Sequence, residues 1–176
     1  MMTSYQRNRL IIETLFSIVE KKAGITYLVE HVISRTQKDK FPTLPKRACF
    51  INIKTIDTIE ITNIEISIII RKVTDVLYDC IENGCTAFIL DVAPGIHMLV
   101  CEVVLSMRRF NPMIYTIVRE PNFQDQILWT KPDILLYRII GNQANDIIKA
   151  IPHSLSLPDI DEYTLFEDLT KITLEL

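Results

Sequence analysis

The sequence predicts an α/β fold: a layered, mostly parallel sheet with helices on both faces, preceded by an N-terminal helical element. Three observations carry this reading. Short apolar runs at Ala87–Val92, Met113–Val118 and Ile134–Ile140 alternate with helical segments between Cys85 and Ile151. Each run is nearly continuous in apolar residues and rich in β-branched and aromatic types. Each is bounded by Gly, Pro or Asn. Strands of a parallel sheet covered on both faces read this way, because neither side of the pleat meets water.

The elements follow in order. Residues 6–22 read as an amphipathic helix, with Ile11, Leu15 and Ile18 at i, i+4 and i+7 and with Ile12, Phe16 and Val19 widening the stripe. Gly24 is expected to stop it after Lys21-Lys22, and a second short helix runs from Ile25 to about Ile33. Gln37 to Arg47 is polar, contains Pro42 and Pro45, and reads as a linker. Ala48–Ile53 is the first strand. Thr58–Ile61 either pairs with it or opens the next helix. Asn63 is the expected N-cap of a helix over 64–83, whose apolar face holds Ile69, Val73, Val76, Leu77 and Cys80, and Asn83-Gly84 ends it. The helix after Ala87–Val92 runs from about Ile96 to Phe110. It closes on Arg108-Arg109, favourable at the negative end of the helix dipole, and Asn111-Pro112 stops it. A short helix follows Pro121 and another starts near Asn142. Segment 159–176 is expected to hold a last helix over Glu162–Leu169 and a terminal strand or extended tail. The resulting organisation is a helical element and linker (1–46), an α/β domain (47–151) and an acidic C-terminal extension (152–176).

Composition narrows the function. A hydrophobic fraction of 48% in 176 residues supports one ordinary globular core. The most apolar long segment, 64–81, is interrupted by Glu65, Arg71, Lys72, Asp75 and Asp79, so no membrane span is expected. Arg7 and Arg9 are followed by Glu13 and Glu20 with no cleavage-site pattern, which predicts a cytoplasmic protein. Cys49, Cys80, Cys85 and Cys101 form no CxxC pair and have no histidine at ligand spacing. They read as reduced core residues, with no metal and no cofactor implied. Residues 1–47 carry nine Lys/Arg against four Asp/Glu, whereas the remainder carries ten against eighteen. A basic head and an acidic tail imply two surfaces with different partners, or a head that docks on a tail.

Asp91 is the sharpest site candidate. It ends a central strand and is followed by Ala93-Pro94-Gly95, at the sheet edge where open α/β folds bind ligands and carry phosphoacceptors. No acidic pair ends the first strand, where Asn52-Ile53-Lys54 stands, so the Mg²⁺ site of a receiver is missing. The alternative role for Asp91 is to cap the next helix. Pro94, Gly95 and His97 complete a candidate ligand or partner surface. A lone Pro-Gly is neither GxGxxG nor a P-loop, so nucleotide binding is not expected. No residue is assigned a catalytic role, and the chain reads as a non-enzyme. Trp129-Thr-Lys-Pro132 separates a helix from a strand, with Trp129 either a core lid, the favoured reading, or an exposed contact. The basic residues Arg7, Arg9, Lys21, Lys22, Arg35, Lys38 and Lys40 define a nucleic-acid or docking surface. Leu10–Val19 followed by Ile25–Val29 resembles the start of archaeal winged-helix regulators, which would make residues 9–40 a DNA-binding element, although no wing follows.

The order of elements from Ala48 to Ile151 resembles a STAS domain, the fold of anti-sigma-factor antagonists and stressosome subunits. The matching part is Met113–Ile151: a strand into Arg119-Glu120-Pro121, a short helix, Lys131-Pro132-Asp133, a strand Ile-Leu-Leu-Tyr-Arg and a last helix Gln143–Ile151. Helix 64–83 leading into Thr86–Val92 also fits. STAS antagonists carry an Asp-Ser or Asp-Thr phosphosite after the third strand. Here Ala93–Met98 has no hydroxyl, so the resemblance implies a degenerate member that keeps a binding surface and lacks the switch. The receiver family shares the doubly wound pattern and is the runner-up, with Asp91 as a phosphate or small-ligand sensor. The leading expectation is a regulatory or scaffold protein for signalling that acts by contact with a protein partner or a second copy. The alternative is a DNA-binding regulator.

Overall fold

The structure, a computed structural model, describes residues 2–35, 45–54, 63–149 and 166–176. Its helices are α1 (Ser4–Arg35), α2 (Asn63–Glu82), α3 (Ile96–Met107), α4 (Phe123–Gln126) and α5 (Lys131–Gln143). Its strands are β1 (Arg47–Lys54), β2 (Ala87–Asp91), β3 (Tyr115–Arg119), β4 (Asp146–Ile148) and β5 (Asp168–Glu175). The strands form one sheet in the order β4-β3-β2-β1-β5, and every neighbouring pair is parallel. The layered α/β class and the parallel sheet expected from the sequence are both present.

The two faces of the sheet differ. Cys49, Ile51, Phe88, Leu90, Val118 and Leu174 point to the face where α1, α2 and α3 pack together with Ile140 of α5. The alternate residues Ala48, Phe50, Ala87, Ile89 and Ile117 point the other way, where they pack with Tyr115, Ile148, Phe166 and Leu169. Both sets are buried. This two-sided burial explains why β2 reads as a continuous apolar run. Among the described residues, every buried helix side chain in the two clusters lies on the first face. Helix α3 lies at the centre of that layer, against α1, α2 and α5, which is why it is apolar nearly all round. The four cysteines are buried and free, with the Cys49 and Cys80 sulfurs 3.9 Å apart between β1 and α2.

Turn chemistry accounts for two junctions. After α2 the Cys85 N–H reaches the Cys80 carbonyl and Gly84 adopts φ 81°, a left-handed helix ending suited to glycine. Before α3, Gly95 takes φ 82° and ψ −127°, a region that L side chains do not populate.

Three expectations are corrected. Helix α1 runs unbroken through Gly24, so the two-helix reading of 6–33 fails. Glycine costs only about 1 kcal/mol in a helix interior, too little to stop a helix whose Ile11, Leu15 and Val19 are fully buried in the main core. The expected strand at Ile134–Ile140 is helix α5. Thr130 caps it, accepting from the Asp133 N–H while the Asp133 carboxylate accepts from the Thr130 N–H, and Pro132 sits where no N–H is needed. The expected helix near Asn142–Ile151 is instead strand β4, aligned by Asn145, which exchanges hydrogen bonds with the Thr116 backbone at 2.8 and 2.9 Å. Segments 36–44 and 58–61 and the first half of the last expected helix, 162–165, lie outside the described residues; its second half is not helical, with Asp168 and Leu169 in β5. No described helix is long and apolar enough to cross a membrane.

Because α1 shares its core with α2 and α3, Leu15→Ala is expected to destabilise the whole fold by about 2–5 kcal/mol. Urea unfolding followed by circular dichroism and by Trp129 fluorescence would show one shifted transition in both signals. A change confined to the helical signal would mean that α1 unfolds by itself.

Candidate functional site

The candidate site grows out of the register of β2 and β3. Asp91 lies directly opposite Arg119, and both side chains point to the face bearing Ile89 and Ile117. Arg119 grips Asp91 in a forked pair, Nε to Oδ1 at 2.5 Å and Nη2 to Oδ2 at 2.7 Å. The pair is largely desolvated, with the side chains 10% and 30% exposed for Arg119 and Asp91. The Arg119 guanidinium also lies 4.8 Å from the centre of the Phe50 ring, and the Lys171 ammonium lies 5.8 Å from the same ring. Asn52, the residue after Ile51, borders this row and donates to the Thr173 hydroxyl of β5 at 3.5 Å. A polar row of Arg119, Asp91, Asn52 and Thr173 thus ends this sheet face at the carboxyl ends of the strands, with Lys171 beside it.

Behind Asp91 the loop 92–95 turns into α3. The Met98 and Leu99 N–H groups bond to the carbonyls of Ala93 and Gly95, and no side chain caps the helix. The role of Asp91 as a helix cap is therefore corrected: its carboxylate is taken by Arg119. Pro94 and Gly95 are exposed and His97 is half-buried. Burial lowers the pKa of His97 from its ordinary value near 6.5, and the Asp91 charge opposes that shift. The imidazole is therefore neutral at pH 7. One turn on, the Cys101 thiol lies 3.6 Å from the Asp91 carbonyl. Burial pushes its pKa far up, with the neighbouring carboxylates adding to the effect, so it is not a nucleophile. Among the described residues no group of three His, Cys, Asp or Glu could hold a metal ion.

Of the basic residues singled out at the N-terminus, the structure describes the side chains of Arg7, Arg9 and Lys21. Arg7 pairs with Glu102 of α3, Nε to Oε2 at 2.8 Å, and Arg9 pairs with Glu13 of its own helix at 2.7 Å. Lys21 is exposed. The side chains of Lys22 and Arg35 and the whole of Lys38 and Lys40 lie outside what the structure describes.

Sequence reasoning found Asp91 and missed Arg119, Phe50, Asn52 and Thr173. The signal lay in the strands themselves: a basic residue one place beyond an apolar run, matched in register to the acidic residue ending its neighbour. No family model matches this chain, and none of the curated proteins is similar to it.

Removing one member of the fork strands the other, so Asp91→Asn and Arg119→Gln are each expected to cost about 2–3 kcal/mol. The double variant should cost less than the sum of the two, as read by a double-mutant cycle in urea. His97 supplies a pH signature. Its folded pKa lies below its unfolded one, so the unfolded chain takes up the proton first as pH falls. Stability is full above about 6.5 and declines as pH falls below it. Glu102, whose pKa is raised by burial against the pull of Arg7, acts with opposite sign at lower pH. The difference between wild type and His97→Gln from pH 7.5 to 5.5 therefore isolates the histidine. Parallel curves for the two proteins would refute the assignment.

Proposed function

We propose that this chain is a non-enzymatic interaction module, a regulatory or scaffold protein that acts by docking another protein. The observation that carries the reading is the outer surface of α4 and α5. Phe123 is 77% exposed, Ile127 66%, Leu128 87% and Leu135 60%, and Ile139, one turn after Leu135, is also exposed. Five large apolar side chains within residues 123–139 face water. Surfaces of that kind mark contact sites, because leaving them wet forgoes roughly 1.5–3 kcal/mol per side chain. Lys131 and Arg138, also exposed on α5, supply polar groups such as border docking surfaces.

The state of Asp91 supports the same reading. A phosphoacceptor needs a free carboxylate beside a cation site, and this carboxylate is engaged by Arg119. The layered α/β class is compatible with a STAS-like module without identifying one, and the unbroken α1 gives the DNA-binding reading no turn between two helices.

A photo-crosslinker at Leu128, introduced in cells that make the protein, is expected to give a discrete protein adduct. The adduct should be lost when Phe123 and Ile127 are both replaced by Ser. A crosslinker at exposed Lys46 should give none. Absence of an adduct at Leu128, or persistence of the adduct after the Ser replacements, would overturn the docking surface. Incubation with acetyl phosphate and Mg²⁺ is expected to leave Asp91 unlabelled.

A further inference from the structure

Among the described residues the sheet has one long edge with no strand beside it. Strand β5 pairs with β1 over eight residues, and no described strand lies on its outer side. The backbone shows which groups face out. The Leu176 N–H donates to the Lys54 carbonyl at 3.1 Å and the Asp168 N–H reaches the Lys46 carbonyl at 3.4 Å. In a parallel ladder, alternate residues turn their N–H and C=O to opposite sides. Even-numbered residues of β5 therefore serve β1, and Leu169, Lys171, Thr173 and Glu175 present theirs outward. The Glu175 carbonyl already shows this by accepting from Lys72 Nζ at 3.2 Å. Lys171, Thr173 and Glu175 are exposed. Unpaired edges of this length are templates for another strand.

We propose that β5 pairs with β5 of a second copy of this chain, antiparallel about a two-fold axis through Thr173, so that two five-stranded sheets become one. The register follows from charge and from the pleat. Side chains stay on their proper faces only if odd residues oppose odd residues. Placing Thr173 opposite Thr173 sets Lys171 against Glu175 twice, as directly opposed hydrogen-bonded pairs, and sets Ile172 against Leu174 twice on the helix-covered face. Sliding the pair by two residues in all opposes Lys171 to Thr173 and Leu169 to Glu175, with no charge matched. Sliding it by four opposes Lys171 to Lys171 and Glu167 to Glu175. Like charges directly opposite are destabilising, so the Thr173-centred register is selected. In it Ile172 and Leu174, which already pack at the rim of the main core, extend that core across the junction. The proposal rests on β5 alone and is independent of the α4–α5 surface.

The test is sedimentation equilibrium of the full chain over a wide concentration range. Wild type is expected to be a dimer. Thr173→Pro removes an outward N–H that β1 does not use, so it spares the intrachain ladder and should yield a monomer. Glu175→Lys sets lysine against lysine twice and should weaken the dimer by about 10-fold or more. The double variant Lys171→Glu/Glu175→Lys should restore it. Circular dichroism and the urea midpoint establish that each variant is folded, and the charge series decides the matter if the proline variant is not. A wild-type chain that is monomeric at every concentration overturns the proposal. So does a dimer indifferent to both the proline and the charge reversal, since the copies would then meet elsewhere.

Discussion

The burial of β2 on both faces is the constraint on which the rest depends. All five of its residues pair with β3 and four of them, Ala87–Leu90, also with β1, and those four are buried. Phe88 and Leu90 anchor the helix layer, and Ala87 and Ile89 the opposite face. A strand so placed cannot slip, because a shift of one residue would exchange its two sets of side chains. That fixed register brings Asp91 opposite Arg119 and starts α3 just beyond the strand, with His97 and Cys101 near the Asp91 end. The polar row at the strand ends is thus a consequence of packing far from it. The charged fork is tolerable there only because its geometry is bidentate and the guanidinium has an aromatic ring beneath it.

Elements whose burial is simple were legible in the sequence. β1, β2, β3, α2 and α3 fall close to their expected places because the strands are short apolar runs, α2 has one apolar face, and α3 is an apolar run too long for a strand. α5 was not, and the reason is specific. Leu135 and Ile139 lie on its solvent side, where a surface helix carries polar residues, and they turned a helical pattern into an apolar run broken only by Arg138. The local chemistry was nonetheless written out, since Thr130-Lys-Pro-Asp133 is a capping box with proline in the first turn. The residues that defeated the periodicity are those that give the α4–α5 surface its apolar character. Conflict between local pattern and fold is expected where a sequence serves a second purpose.

The site divides in the same way. Asp91 could be located because the ends of parallel strands are generic binding positions, and Pro94, Gly95 and His97 follow it locally. Its partner could not, because Arg119 is 28 residues away and only the register joins the two. The basic N-terminal residues show the limit of counting charge along a chain. Counted along the chain they make a cationic head, but Arg7 is matched by Glu102 where α1 packs on α3, and Arg9 by Glu13 of its own helix. Net charge over a segment measures supply, and a surface potential depends on what pairing leaves.

The two inferred contact surfaces are compatible because of the strand order. β5 lies at one edge of the sheet, whereas α5 links β3 to β4 at the other, where Ile147 of β4 comes close to Gly141 of α5. Pairing through β5 therefore leaves the α4–α5 surface open on both copies, and the two-fold axis sets the copies at opposite ends of a ten-stranded sheet. Two docking faces at a fixed separation bind a divalent target with an effective concentration set by that rigid spacing, and they gain nothing on a monovalent one. A scaffold differs from a simple binding domain in just this respect. The geometry thus ties the partner surface to the assembly surface: a change at Thr173 that splits the dimer should weaken engagement of a multivalent partner while leaving each α4–α5 contact intact.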